Sequence, residues 1–172
     1  MSDQWGYLKQ PAYRVRQGIA ESWLSPCRTV VEVGGGVTPI ASPHQAHLNV
    51  DPLAGRGGLS LPLAEAGTQI EGWLADNPDQ PLGLCLLGLD LELTEVELAI
   101  LDSLAVRCER IVIESAVQWQ HGITAAAELV ERWWRGDLLL DIIDVTIAVC
   151  PTDCPPEAKC YRERWFALLR RT

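Results

Sequence analysis

The sequence predicts one α/β domain: a mostly parallel β-sheet with helices on both faces and an antiparallel strand at its C-terminal end. Three observations carry this. Apolar, β-branched runs alternate with helical patterns along the chain. Two of those runs, PLGLCLLGL and RIVIESAV, are apolar nearly throughout, as strands covered on both faces are. The last two strand-like segments are joined by only about a dozen residues without helical pattern, which suits an antiparallel pair better than a parallel crossover. The 172 residues are 48% hydrophobic, enough to fill one core. With no repeat and no linker, residues 1–172 read as a single domain, with an N-terminal helical or lid segment at 1–26 and the α/β core at 27–172.

Each element follows from its residues. PAYRVRQGIAESWL (11–24) is a helix, with Pro11 suited to the first turn and Tyr13, Ile19, Trp23 and Leu24 on one apolar face. CRTVVEV (27–33) is a strand that runs into three glycines. HLNV (47–50) is a short strand stopped by Asp51-Pro52. A turn-rich stretch precedes a helix at 63–77, and LSLP (59–62) offers at most a short strand. Residues 81–89 form a buried strand. Thr94 and Glu97 form a capping box for the helix over 94–108. A strand at 110–117, an amphipathic helix at 122–135 and strands at 138–149 and 161–171 complete the order.

Composition excludes several functions. The net charge of −9, from 14 basic and 23 acidic residues, argues against nucleic-acid partners, which need a basic footprint. The stretch from Asp51 to Glu114 holds 12 acidic and 3 basic residues, so the whole excess lies mid-chain; a solvated face explains it better than a partner surface. The first residues lack a signal-peptide core, and no apolar run approaches a membrane span, so no membrane partner is expected. Cys27, Cys85 and Cys108 lie in or beside apolar segments. Reduced thiols and a cytoplasmic location follow. Cys150, Cys154 and Cys160 share one loop, but their spacing is not that of a zinc site and reads as ordinary loop cysteines.

The informative segment is VVEVGGGVTPIASPHQAHLNVDPLA. Here a buried strand carries Glu32, turns at Gly34-Gly35-Gly36, and is followed by a strand ending at Asp51. Glycines at such a turn let the backbone approach a ligand, and open parallel sheets bind ligands outside the carboxyl ends of their strands. Asp51, seventeen positions after Gly34, is placed to accept hydrogen bonds from ribose hydroxyls. A dinucleotide turn would place glycine or alanine where Pro39 stands, which disfavours a nicotinamide-dependent oxidoreductase.

In these residues the chain resembles the class I, Rossmann-like S-adenosylmethionine-dependent methyltransferases. Their acid-x-Gly-x-Gly motif appears as Glu32-Val33-Gly34-Gly35-Gly36, and their acid ending the second strand as Asp51. The resemblance implies S-adenosyl-L-methionine as cofactor. Its methionine part would lie over Gly34, Gly35 and Gly36, its ribose on Asp51, with Glu32 acting indirectly near the amino end. The chain departs from the family between Pro52 and Pro81, where it is short. No counterpart to the adenine-contacting acid is evident there.

Catalytic candidates sit where predicted strands end. Asp90 and Glu92 follow the strand that in this family borders the methyl acceptor, and Glu114 with Ser115 ends the next one. Each acid could orient a substrate or take its proton; a solvated loop acid is an equal reading for Asp90 and Glu92. His121 follows as a second-rank base. His44 and His47 lack further ligands, so no metal is expected. Trp5 and Tyr7 suit a lid over the cofactor, surface packing or a homodimer interface. The function expected is methyl transfer to a small molecule; the alternative is a degenerate methyltransferase-fold protein serving binding or assembly without catalysis.

Overall fold

Local sequence and observed elements coincide closely. The computed structural model describes residues 11–36, 40, 45–54, 58–89, 92–118, 120–136, 138, 140–149 and 163–172. Along them run α1 (Pro11–Leu24), β1 (Thr29–Val33), β2 (Ala46–Val50), α2 (Leu63–Asp76), β3 (Leu82–Leu86), α3 (Glu95–Ala105), β4 (Cys108–Ala116), α4 (Gln120–Arg135), β5 (Leu140–Val149) and β6 (Glu163–Arg171). The capping box holds: the Glu97 N–H donates to Thr94 Oγ1, and the Thr94 N–H donates to Glu97 Oε2 at 2.8 Å.

The six strands lie in the order β2-β1-β3-β4-β6-β5. β1, β2, β3 and β4 are mutually parallel, while β6 runs antiparallel to both β4 and β5. This is the predicted fold. Two expectations change in detail. The strand expected over 81–89 ends at Leu86, because Gly88 turns the chain away with a positive φ of 68°. The short strand sought at 59–62 shrinks to one parallel bridge between Val50 and Leu59, since the helix begins at Leu63.

Alternation along the strands sorts side chains onto two faces. On one, Val30, Cys85, Val112, Phe166 and Leu168 pack under α1, where Ala20 and Leu24 face them. On the other, Val31, Leu84, Ile111, Ala167 and Leu169 join residues of α2, α3 and α4 in the larger core. Cys27, Cys85 and Cys108 are buried free thiols, and burial pushes Cys27 up to about 11. No helix among the described residues is long and apolar enough to cross a membrane.

One polar contact ties the α3–α4 layer together. Trp133 is fully buried, and its indole N–H donates to Asp102 Oδ1 at 2.8 Å. Arg132 also engages Asp102, with Nε 2.9 Å from Oδ1. The Arg132 guanidinium holds the Asp102 carboxyl below the usual carboxylate range. Asp102→Ala leaves the indole N–H without its acceptor and should cost about 1–3 kcal/mol in urea unfolding. Asp102→Asn, which keeps an acceptor, should recover part of that. Equal losses in the two variants would show that the indole bond is not what matters.

Candidate cofactor site

The chain moves from β1 outward to β2, then crosses back to β3 on the other side of β1. The carboxyl ends of β1 and β3 therefore form the switch point where an open sheet offers a crevice. Gly34, Gly35 and Gly36 sit there, each a glycine for its own reason. Gly34 has φ +81°, and a Cβ on it would lie 2.2 Å from the Leu87 carbonyl oxygen, so its bareness lets the β1 turn press against the end of β3. Gly36 has φ +59°, and no atom of a described residue lies within 4 Å of its Cβ position. Of the three, only Gly36 has a Cβ position clear of every described residue.

Asp51 closes this turn onto β2. Its Oδ2 accepts the Gly36 N–H at 3.0 Å and its Oδ1 accepts the Leu53 N–H at 2.7 Å. The residue is half-buried, and a carboxylate has roughly four lone-pair sites, so two further donors can be met.

Beneath the turn lies Glu32, fully buried. Its Oε2 accepts the Ile40 N–H at 2.9 Å and lies 2.8 Å from His47 Nε2. Asn49, paired with Glu32 across the β1–β2 register, donates from Nδ2 to the Gly36 carbonyl at 2.9 Å. Glu32 Oε1 and Asn49 Oδ1 are buried with no donor among the described residues. Both crowd Gly35, whose Cβ would stand 2.5 Å from Asn49 Oδ1 and 2.6 Å from Glu32 Oε1. Burial pushes the Glu32 carboxyl up, against the opposing pull of His47 and Arg16.

Sequence reasoning missed Asn49 and set His47 aside as a metal candidate. The signal was present: His47 and Asn49 are two residues apart on a buried strand and share one face, so that face needed a polar partner.

The catalytic candidates separate in space. Glu114 has no exposed surface; it pairs with Arg164 Nε, lies 3.7 Å from Arg16 Nη1, and accepts the Gly88 N–H at 2.6 Å. That setting ties Glu114, a candidate acid by its place at a strand end, to the Gly88 turn from inside the sheet. Ser115 beside it donates to the Leu89 carbonyl at 2.6 Å. Glu92 is exposed ahead of α3 and shares a groove with His121. Asp90, His44, Trp5, Tyr7, Cys150, Cys154 and Cys160 lie outside the described residues.

No protein-family model matches the chain, and no curated protein does. Solved structures do. An S-adenosylmethionine-dependent methyltransferase from Anabaena variabilis superposes with a TM-score of 0.57 at 10% identity, over 94% of this chain and 84% of that one. An E. coli prophage-encoded protein assigned as a DNA modification methyltransferase aligns with a TM-score of 0.48 at 13% identity, over 83% of this chain. This chain spans 46% of that protein's length. An rRNA methylase from Streptococcus thermophilus gives a TM-score of 0.45 at 11% identity, over 95% and 98% of the two chains. The first of these likenesses establishes that the chain has the fold of an S-adenosylmethionine-dependent methyltransferase.

The raised Glu32 carboxyl has a signed consequence. The folded state holds this proton more tightly than the unfolded chain, so ionisation costs stability as pH rises from the ordinary carboxylate value, 4.5, through the folded one. Glu32→Gln removes that loss, and its amide can donate toward Asn49 Oδ1. The melting temperature of the variant should gain on the wild type as pH rises from 4 to 7. A constant difference across that range would refute the linkage.

Proposed function

We propose that this chain is an S-adenosylmethionine-dependent methyltransferase of the cytosol acting on a small-molecule acceptor. The observation that carries the reading is the switch-point turn, where Gly36 is clear of side chains and backbone among the described residues and is held by Asp51. The residues fit the cofactor. Asp51 keeps acceptor capacity for the two ribose hydroxyls, at the end of β2 where a ribose resting on the turn would lie. Glu32 and Asn49 anchor the turn from below through Ile40 and Gly36, and their orphan oxygens suit a donor group or a water at the amino end.

When bound, the cofactor supplies an electrophilic methyl group on a sulfonium. What remains for the chain is alignment of a nucleophile, and positioning alone supplies much of the rate of such a reaction. Glu92, exposed at the same sheet edge, is placed to orient an acceptor. The acidic charge of −9 favours a small acceptor over a nucleic acid. The rival reading is a binding or assembly protein that keeps the fold without catalysis, favoured by the single bridge at Leu59 where the chain between β2 and β3 is short.

Calorimetric titration with S-adenosylmethionine, S-adenosylhomocysteine and NAD decides between them. The first two should bind; binding of neither favours the assembly protein, and binding of NAD alone an oxidoreductase. Asp51→Ala should cost about 2–3 kcal/mol of S-adenosylhomocysteine affinity, since hydrogen bonds to a charged group are lost. An unchanged affinity in a folded variant removes Asp51 from the site.

The glycines should part company. Gly34→Ala drives a methyl into the Leu87 carbonyl and should lower the melting temperature markedly without ligand. Gly36→Ala meets no atom of a described residue and adds left-handed backbone strain of about 1–2 kcal/mol, yet should abolish binding. Retained binding in folded Gly36→Ala would place the cofactor elsewhere.

A further inference from the structure

A groove of about 420 Å³ runs between α3 and α4, separate from the glycine turn. On α4, His121, Ala125, Glu128 and Leu129 recur at helical spacing and turn one stripe into it. Leu98 of α3 faces them, and Glu92 stands at the end nearest the carboxyl edge of the sheet. Leu129 and Ala125, 1% and 6% exposed, form an apolar floor with Leu98.

The charges of this groove are unbalanced. Its arginine, Arg132, is engaged by Asp102 through three hydrogen bonds. The carboxylates of Glu92 and Glu128 have no hydrogen bond or ion pair with any described residue. The N-terminus of α4 offsets them by only about half a charge. Two carboxylates over an apolar floor attract a cation with a hydrocarbon body.

The Glu92 and His121 end of the groove lies at the carboxyl edge of the sheet, the edge that also carries the glycine turn. Gly122, next to His121, sits so close to the end of β3 that a Cβ on it would overlap the Leu89 carbonyl. Two residues earlier, Leu87 is the residue that Gly34 presses against. Both close approaches fall on the segment that leaves β3, which lies between the glycine turn and the start of α4.

We propose that this groove is the acceptor subsite and that it takes an aliphatic amine, with the ammonium facing Glu92 and Glu128 and the carbon chain on Leu98, Ala125 and Leu129. The role as acceptor subsite rests on the methyltransferase reading; amine binding by the groove does not.

The test is calorimetric titration of the full chain at low salt with hexan-1-amine, hexan-1-ol and hexanoate. The amine should bind at least tenfold more tightly than the other two. Glu92→Gln and Glu128→Gln should each weaken it about three- to fivefold, the range of exposed ion pairs, and the double variant more. Glu131→Gln makes the same charge change on the same helix, but Glu131 pairs with Arg135 and does not line the groove, so affinity should hold. Equal binding of alcohol and amine, absence of amine binding, or a Glu131→Gln loss matching Glu128→Gln would overturn the proposal.

A parallel titration with S-adenosylhomocysteine keeps the two readings apart. Nucleoside binding without amine selectivity overturns the groove assignment alone. Amine selectivity without nucleoside binding overturns the methyltransferase reading, and with it the acceptor role.

Discussion

The arrangement of the carboxyl edge depends on a carboxylate that never meets water. Glu114, on β4, is joined by Arg164 from β6 and Arg16 from α1, and it accepts the Gly88 N–H just beyond β3. Four elements are thereby committed to one another at one end of the sheet. In a low-dielectric interior such a charge is tolerable only while its partners stay, and removing one costs about 3–5 kcal/mol. That penalty holds α1 across β4 and keeps Gly88 at its positive φ, so the chain leaves β3 toward α3 instead of extending the strand.

A second buried acid, Glu32, does for the β1 turn what Glu114 does for β3. Both point to the α1 face, at the sheet end where ligands bind in open α/β folds. The opposite face is apolar and carries α2, α3 and α4. The labour is divided accordingly. One face stabilises the sheet by burying hydrocarbon, while the other spends buried polar groups on shaping two turns. Between those turns lies the switch point of the sheet, with the glycine turn on one side and the segment from Leu87 to Leu89 on the other.

Between β2 and β3 the chain returns to the sheet edge before entering α2. Leu59 exchanges hydrogen bonds with Asn49 and Asp51, with its N–H donating to the Asn49 carbonyl and its carbonyl accepting the Asp51 N–H. This bridge extends the pairing one residue beyond β2 at the edge of the sheet. Asp51, at the same strand end, is held to the glycine turn through the Gly36 N–H.

The sequence by itself determined the local features. The capping box of Thr94 and Glu97, the fully covered strands around Leu84 and Ile111, the glycine turn after Glu32 and the acid at Asp51 all follow from periodicity, cap chemistry and backbone freedom, which act over a few residues. Only the tertiary structure decided which side chains meet. Glu114 reads as an edge acid until the antiparallel β6 brings Arg164 against it, and Arg16 lies 98 residues away from it in sequence. The union of Glu32, His47 and Asn49 depends on the register of β1 with β2, and the α3–α4 groove on how two helices settle on one sheet. Patterns along a chain report which face a residue takes; partners are set by strand order and register, and those are fixed by the packing of the whole core.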